Sequence, residues 1–470
     1  MLKKSIAFLL ACLVVLSLAG CMKETPGEPE STSPSLVPYL SGYKYDEENG
    51  YWTEKFYGLM TADGEKVTEP VYDQYRVFEL NGQKYYCMQI SADEWLPVCS
   101  KSLLISADGN FKLELEDNIL AISENRIICA QHEEPFTVYD YSGNKIFSGN
   151  EYQTVDTNGN GFYNGLLVVF DFLSDNGYTT VVDENGKTVL DKLDYCGPFI
   201  TGKVVASYDR EEGYGIITPE GEWLLEPVYD DIKTVDGRYF IAIDFDKEYI
   251  YDSDLKLLRE RQDDWDIYEQ DYFFEVDGKL IRHYSHMYAP DEYYRDAFTD
   301  EIISCGDVYA TNYSEEYGLF YGISDGRLCI FDVSGKLLNE CQGTERAEMN
   351  NGAYAAVTSS KEQIWFNSAS HEKIINLSNA ENEWKSVATA GDCGIAVIAD
   401  LEDKQDSRMD GPYHLYDYKN REYIFRDCEY CDINEFDGEI YITVAYTDHI
   451  KTYDADFNLL IETENLCENR

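Results

Sequence analysis

A short run of regularly spaced oxygen-bearing side chains is the first candidate for chemistry in this sequence. Asp156, Asn158 and Asn160 occupy alternate positions, and Gly161 follows them. This is the oxygen spacing of the first half of an EF-hand calcium loop, in which a Gly allows the sharp turn. The twelfth position holds Leu167 in place of the bidentate Glu. Two interpretations stay open: a short calcium-binding turn between strands, and a polar β-turn without a metal.

The cysteines could offer redox or metal chemistry, but their number and spacing argue against it. Thirteen cysteines include Cys12 and Cys21, which leaves eleven, and an odd number cannot form a complete set of disulfides. Cys428 and Cys431 form the one close pair, and no second pair follows at zinc-finger spacing. We therefore expect strand cysteines that pack as small hydrophobic residues, as Cys129 should. A disulfide and a metal site are the alternatives for the close pair.

Two further motifs suggest catalysis or metal binding and are better explained by turns and strands. Ser324 stands in a Gly-x-Ser-x-Gly match, but a nucleophile elbow needs a helix after it, and residues 327–331 are a strand-like apolar run. His283 and His286 lack the Glu of a metalloprotease helix, and the chain has only six histidines. We assign no catalytic residue.

The amino terminus predicts export and lipid anchoring. Lys3 and Lys4 precede an apolar run that is too short to span a bilayer, and Leu-Ala-Gly-Cys follows it. This arrangement resembles a bacterial lipoprotein signal, which implies that residues 1–20 are removed and that the Cys21 thiol carries a diacylglycerol. Residues 21–37 then form a tether rich in Pro, Glu, Ser and Thr, which should be disordered and hold the domain roughly 20 Å from the membrane. A plain secretory signal or an uncleaved anchor is the alternative.

Composition and charge limit the partners of the remaining chain. Thirty-eight Lys and Arg against 89 Asp and Glu give a formal net charge of −51. Nucleic acid is excluded as a partner, because no basic patch is present to displace phosphate counterions. Anionic membrane surfaces should repel the domain, so the lipid would be its only membrane contact.

Short repeated strands must position any functional site. Residues 57–90 and 213–243 share one order of parts: Tyr-Gly, an apolar run, a turn ending in Gly, a second run, Glu-Pro-Val-Tyr-Asp and a third run. In the turn, an Asp, Ser or Thr side chain caps the backbone and the Gly three residues later takes positive φ. Gly237 should stand in a less constrained turn. The capped turn recurs about every 39 residues, at 61–64, 106–109, 140–143, 183–186, 218–221 and 332–335, and at 417–420 if Asn420 takes the Gly role.

The repeated unit resembles the WG (KWG) repeat of bacterial surface proteins and lipoproteins. Tyr57-Gly58 and Tyr214-Gly215 stand where that family often has Trp-Gly, and Glu-Pro-Val-Tyr-Asp follows in both units. The resemblance implies repeated β-units with a binding or unknown role, and it brings no catalytic residues.

These observations predict an all-β domain over residues 38–470, built of repeated three- to four-stranded units. A β-propeller is the favoured architecture and a β-hairpin solenoid is the alternative. The predicted protein is a lipid-anchored binding module on the extracytoplasmic face of the cell membrane, with an envelope component, peptide, glycan or protein as its ligand. An extracytoplasmic hydrolase or lyase on a propeller scaffold is the alternative. Apart from calcium, no cofactor is predicted.

Overall fold

The structure, a computed structural model, is built of antiparallel sheets. It describes residues 35–46, 51–91, 99–131, 135–150, 153–155, 161–171, 178–209, 211–245, 247–262, 272–284, 293–377, 384–401 and 412–466. These residues contain no helix, and therefore none that is long and apolar enough to cross a membrane. The prediction of an all-β fold is confirmed.

The described residues start with a hairpin and continue through ten blades, each a small sheet in which successive strands pair. The hairpin consists of β1 (Leu36–Asp46) and β2 (Tyr51–Thr61). Blade 1 consists of β3 (Gln74–Leu80), β4 (Gln83–Ser91), β5 (Cys99–Ser106) and β6 (Lys112–Leu115). Blade 2 consists of β7 (Ile119–Ile122), β8 (Ile127–Cys129), β9 (Thr137–Tyr139) and β10 (Lys145–Ser148). Blade 3 consists of β11 (Gln153–Val155), β12 (Leu166–Asp171), β13 (Thr179–Asp183) and β14 (Thr188–Leu193).

The middle blades include the one departure from four strands. Blade 4 consists of β15 (Tyr195–Ile200), β16 (Lys203–Ser207), β17 (Tyr214–Ile217) and β18 (Trp223–Tyr229). Blade 5 consists of β19 (Asp231–Val235), β20 (Tyr239–Asp244), β21 (Lys247–Asp252) and β22 (Leu257–Gln262). Blade 6 has three strands among the described residues, β23 (Tyr272–Val276), β24 (Lys279–Tyr284) and β25 (Tyr293–Asp296). A short hairpin follows it, formed by β26 (Ser304–Cys305) and β27 (Val308–Tyr309).

The last four blades return to the four-stranded form. Blade 7 consists of β28 (Asn312–Ser314), β29 (Leu319–Ser324), β30 (Arg327–Phe331) and β31 (Leu337–Gln342). Blade 8 consists of β32 (Thr344–Asn350), β33 (Ala353–Thr358), β34 (Gln363–Asn367) and β35 (Lys373–Leu377). Blade 9 consists of β36 (Trp384–Ala388), β37 (Ile395–Leu401), β38 (Tyr413–Asp417) and β39 (Glu422–Cys428). Blade 10 consists of β40 (Tyr430–Phe436), β41 (Glu439–Ala445), β42 (His449–Asp454) and β43 (Leu459–Glu464).

The first hairpin closes the ring between the last blade and the first. On one side Tyr39 of β1 packs in a core with Tyr441 of blade 10. On the other side Leu59 of β2 packs in a core with Met88 of blade 1. Because the two ends of the repeat array meet through this hairpin, the sheets form a closed β-propeller. The favoured architecture is confirmed, and the solenoid alternative is wrong.

The capped turns join the third strand to the fourth in most blades, and their geometry is as predicted. All six predicted glycines have φ between +73° and +90°. In each turn the Gly N–H donates to the carbonyl oxygen three residues earlier, at 2.8–3.0 Å. In an antiparallel sheet these turns lie at the same end of the blade as the turns that join the first strand to the second. We call this end of the propeller the upper face.

Two details of the predicted register are wrong. The turn that begins at residue 417 is one residue longer than expected, so that Arg421 and not Asn420 has positive φ, at +60°. Gly237 is not less constrained than Gly221, because its φ is +66° and a Cβ there would lie 3.2 Å from Ile200 Cγ2. It belongs to a second family of left-handed turns, between first and second strands, which the sequence comparison overlooked.

The Asp that ends Glu-Pro-Val-Tyr-Asp links the start of a blade to the second strand of the same blade. The N–H of Asp230 donates to the carbonyl oxygen of Ile243 at 2.8 Å, and its carboxylate accepts from the N–H of Phe245 at 2.6 Å. Asp73 of the other copy makes the equivalent pair, and its carboxylate accepts from the N–H of Ser91 at 2.7 Å. In each case the Asp bridges the start of a blade to the end of that blade's second strand.

Replacing Asp230 by Ala should therefore lower the free energy of unfolding by about 1 kcal/mol, because the Phe245 N–H loses its charged acceptor and bonds to water at this exposed position. Glu226→Ala is the matched control, since Glu226 lies in the same motif and is exposed, and it should change stability by less than about 0.5 kcal/mol. Urea unfolding measures both variants. Equal midpoints for the two would contradict this role of Asp230.

Candidate functional site

A cleft of about 700 Å³ opens on the upper face between blades 1 and 2. One part of the cleft is formed by the β3–β4 turn and the β7–β8 turn. The third-to-fourth-strand turns of the same two blades form the rest. Its lining residues are Leu80, Asn81, Gln83, Tyr85, Phe111, Glu124, Asn125, Arg126 and Tyr141. The volume is within the range of small-molecule sites in proteins.

Three aromatic side chains form an edge-to-face row in the cleft. The ring centroids of Tyr85 and Phe111 are 6.1 Å apart at 76°, and those of Phe111 and Tyr141 are 5.4 Å apart at 68°. The Tyr141 hydroxyl donates to the carbonyl oxygen of Ser123 at 2.7 Å, and burial raises the pKa of this tyrosine. Partly buried rings in this arrangement have fixed positions and offer apolar surface to a ligand.

The β7–β8 turn supplies the polar side of the cleft and is held from two directions. Asn81 of the neighbouring turn donates to Glu124 at 3.1 Å. On the other side, Asn125 donates to the Glu184 carboxylate at 3.1 Å, and Arg126 Nε donates to the Glu184 carbonyl oxygen at 2.9 Å. Glu184 lies in the β13–β14 turn of blade 3, so three blades fix this wall of the cleft. Such preorganisation lowers the cost of ordering groups when a ligand binds.

The described lining is suited to binding. Among these side chains Glu124 carries the sole carboxyl group, whereas glycoside hydrolysis uses a pair of carboxyl groups. The lining also lacks a Ser, Cys or His that could act as nucleophile or base. The described lining offers a ligand aromatic rings, side-chain amides and one ionic side chain of each sign.

Two of the predicted sites lie outside the residues that the structure describes. The calcium prediction at Asp156, Asn158 and Asn160 falls there, as does the lipidation site at Cys21. Within the described ranges, no group of three or more His, Cys, Asp and Glu side chains could hold a metal ion. Both sites stay predictions.

Ser324 is part of a hairpin, as the sequence predicts. It pairs with Arg327 across the β29–β30 turn, and Asp325 and Gly326 have φ of +50° and +73°. A Cβ on Gly322 would lie 1.9 Å from the carbonyl oxygen of Tyr309. Gly322, the first Gly of the Gly-x-Ser-x-Gly match, is therefore required by the close packing of β29 against β27.

The cysteine and histidine candidates are packed residues. All ten cysteines that the structure describes are free thiols, and burial raises the pKa of Cys428 to about 11 and that of Cys431 further. Cys129 is fully buried in a core between blades, as predicted. The His283 ring stacks on Tyr294 with centroids 4.4 Å apart, while His286 lies outside the described residues.

Sequence reasoning missed the cleft, although one signal for it is present. The second position of the six capped turns holds Ala62, Ala107, Tyr141, Glu184, Pro219 and Val333. Tyr141 is the one aromatic residue in that series, and a large ring in a turn tip has a structural or binding reason. Nothing local to the sequence shows that it faces Phe111 and Tyr85.

Residues 214–243 match the family described as WG containing repeat. The chain contains a WG repeat. The matched WG repeat begins in β17 of blade 4 and extends to β20 of blade 5, so one sequence unit is made of the end of one blade and the start of the next. This confirms the resemblance to WG repeat proteins for this segment.

The WG repeat glycine is explained by close packing. Gly215 is buried in β17, and a Cβ there would lie 2.5 Å from the carbonyl oxygen of Leu225, 2.7 Å from the Trp223 ring and 2.8 Å from Pro227 N. Tyr214 before it packs edge to face on Tyr195, with centroids 5.3 Å apart. The motif therefore serves the packing inside and between blades.

Solved structures similar to this chain share little sequence with it, and no curated protein matches it. BamB from Moraxella catarrhalis is 10% identical over 92% of this chain and 98% of its own, with a TM-score of 0.27. Apo AztD from Citrobacter koseri is 15% identical over 74% and 96%, with a TM-score of 0.28. A eukaryotic initiation factor is 11% identical over 91% and 96%, with a TM-score of 0.36.

Proposed function

We propose that this WG repeat protein is a lipid-anchored binding module that captures a component of the cell envelope through the cleft between blades 1 and 2. The observation that carries the proposal is the pairing of an aromatic row with a polar turn that three blades hold in place. Tyr141, Asn81 and Asn125 hold the walls of the cleft in place through their own hydrogen bonds, and each of them also lines it.

The anchor supports this function through local concentration. Cleavage before Cys21 would leave a lipidated cysteine and the tether of residues 22–37, which keeps the propeller close to the membrane. A ligand in the same layer then meets the cleft at a raised effective concentration, so that weak binding suffices. The negative charge of the chain keeps the domain itself off anionic surfaces.

Replacing Tyr141 by Ala should weaken binding to envelope fragments about tenfold, because a partly buried aromatic residue in a binding site contributes about 1.4 kcal/mol or more. Full-length protein in detergent is added to fragments immobilised on beads, and its bound fraction is measured across a concentration series. Leu337→Ala is the control, since Leu337 is an exposed apolar residue of blade 7. Equal affinities for the two variants, or no saturable binding by the unaltered protein, would refute the proposal.

A further inference from the structure

We infer that the ligand of the cleft is an uncharged glycan whose sugar rings pack on the row formed by Tyr85, Phe111 and Tyr141. The inference rests on the proposed function and names the class of ligand for the same site. Sugar rings have an apolar face of C–H groups and an edge of hydroxyl groups. The cleft offers both kinds of surface, aromatic rings and side-chain amides.

The polar groups of the cleft match hydroxyl groups in kind. Asn81, Gln83 and Asn125 are exposed on its rim. Each amide has both donors and an acceptor, and a sugar hydroxyl likewise donates and accepts. Gln83 is held beside the aromatic row, because its carbonyl oxygen accepts from the Tyr85 hydroxyl at 3.1 Å. An amide and an aromatic ring are therefore presented side by side.

The charges of the cleft and of the chain argue against an anionic ligand. Glu124 and Arg126 provide one charge of each sign among the lining residues. Phosphate recognition uses an excess of cationic donors, and the net charge of −51 opposes the approach of any anion. Arg126 is also partly occupied, since Nη1 donates to the Asn125 carbonyl oxygen at 2.8 Å.

The shape of the cleft argues against an extended peptide. Peptides that bind by adding a strand need an exposed sheet edge with free backbone groups. The rim here consists of turn tips, those around Asn81, Asn125 and Tyr141, and it recognises its ligand through side chains. A short oligosaccharide uses such groups, and a volume of about 700 Å³ accommodates one.

The test treats envelope fragments in two ways before binding. Periodate cleaves the vicinal diols of sugars, and a broad-specificity protease removes peptides and proteins. Full-length protein is supplied in a detergent without a sugar headgroup, so that the detergent cannot compete. We expect periodate to lower the amount bound at least tenfold and protease treatment to leave it within twofold. Binding that protease abolishes and periodate spares would overturn the inference and indicate a peptide or protein ligand.

Substitutions of lining residues test whether this binding occurs at the cleft. Phe111→Ala should lower affinity for untreated fragments at least tenfold, and Gln83→Ala, at an exposed rim position that the fold does not need, about threefold. Leu337→Ala should have no effect. If Phe111→Ala and Gln83→Ala both retained the periodate-sensitive binding of the unaltered protein, the assignment of the ligand to this cleft would be wrong. If untreated fragments do not bind the unaltered protein at all, the proposed function itself fails, which is a different outcome from a change of ligand class.

Discussion

Gly215→Ala is expected to lower the free energy of unfolding by about 3 kcal/mol, at the upper end of the cost of overpacking a core. The added methyl carbon would lie 2.5 Å from the Leu225 carbonyl oxygen and 2.8 Å from Pro227 N. Both are backbone atoms of β18, and they cannot move aside without breaking the pairing of that strand with β17. Urea unfolding of the full-length protein measures the loss.

Gly197→Ala is the matched control for this prediction. Gly197 is also a buried strand glycine of blade 4 and also lacks a left-handed φ. A Cβ there would have its nearest neighbour, the Tyr195 hydroxyl oxygen, at 3.4 Å, which is ordinary contact. Since Ala is no worse than Gly in a strand, its effect should be within about 1 kcal/mol. A Gly215→Ala midpoint equal to that of Gly197→Ala would show that close packing does not explain the WG repeat glycine.

Cys21→Ala is expected to abolish lipid attachment and the cleavage that depends on it. The methyl group of Ala cannot form a thioether, so the precursor should keep residues 1–20 and incorporate no labelled palmitate. Two acyl chains hold a protein stably on a bilayer, because each buried CH₂ contributes about 0.8 kcal/mol, whereas one chain is marginal. Mass spectrometry and metabolic labelling of cells that express the variant give the two readouts.

Cys12→Ala separates this effect from the loss of any cysteine. Cys12 lies within the apolar run of the predicted signal, where Ala is an adequate replacement, and this variant should be labelled and processed like the unaltered chain. If the Cys21→Ala precursor were still cut after Gly20 and its product stayed in the membrane fraction, the lipoprotein interpretation would be wrong.

The turns of the propeller were predictable because their causes are local. An Asp, Ser or Thr and a Gly three residues apart determine a turn through contacts within one segment, and all six predicted glycines adopt positive φ. At 417–420 the rule misplaced the left-handed residue by one position, since a longer turn can be capped by the same Asp417. There the Asn420 N–H donates to the Asp417 carboxylate at 2.8 Å, and Arg421 takes the left-handed conformation.

The closure of the ring depends on contacts that no local pattern contains. Tyr39 and Tyr441 are separated by almost the whole chain, and they meet in one core only because ten blades and a hairpin turn through a full circle. A solenoid would use the same strands and the same turns. The difference lies in the small rotation between neighbouring blades, which arises from packing between sheets.

The sequence by itself determined that the chain is all-β, that it is built of repeated strands with capped turns, and that its repeat glycines and its Glu-Pro-Val-Tyr-Asp segments are structural. Each of these follows from backbone preferences and short-range spacing. The tertiary structure alone decided that the ring is closed and that Tyr85, Phe111 and Tyr141 share a cleft with Asn81, Asn125 and Arg126. These residues come from turns and a strand of blades 1 and 2, and the twist and packing of whole sheets set the distances between them.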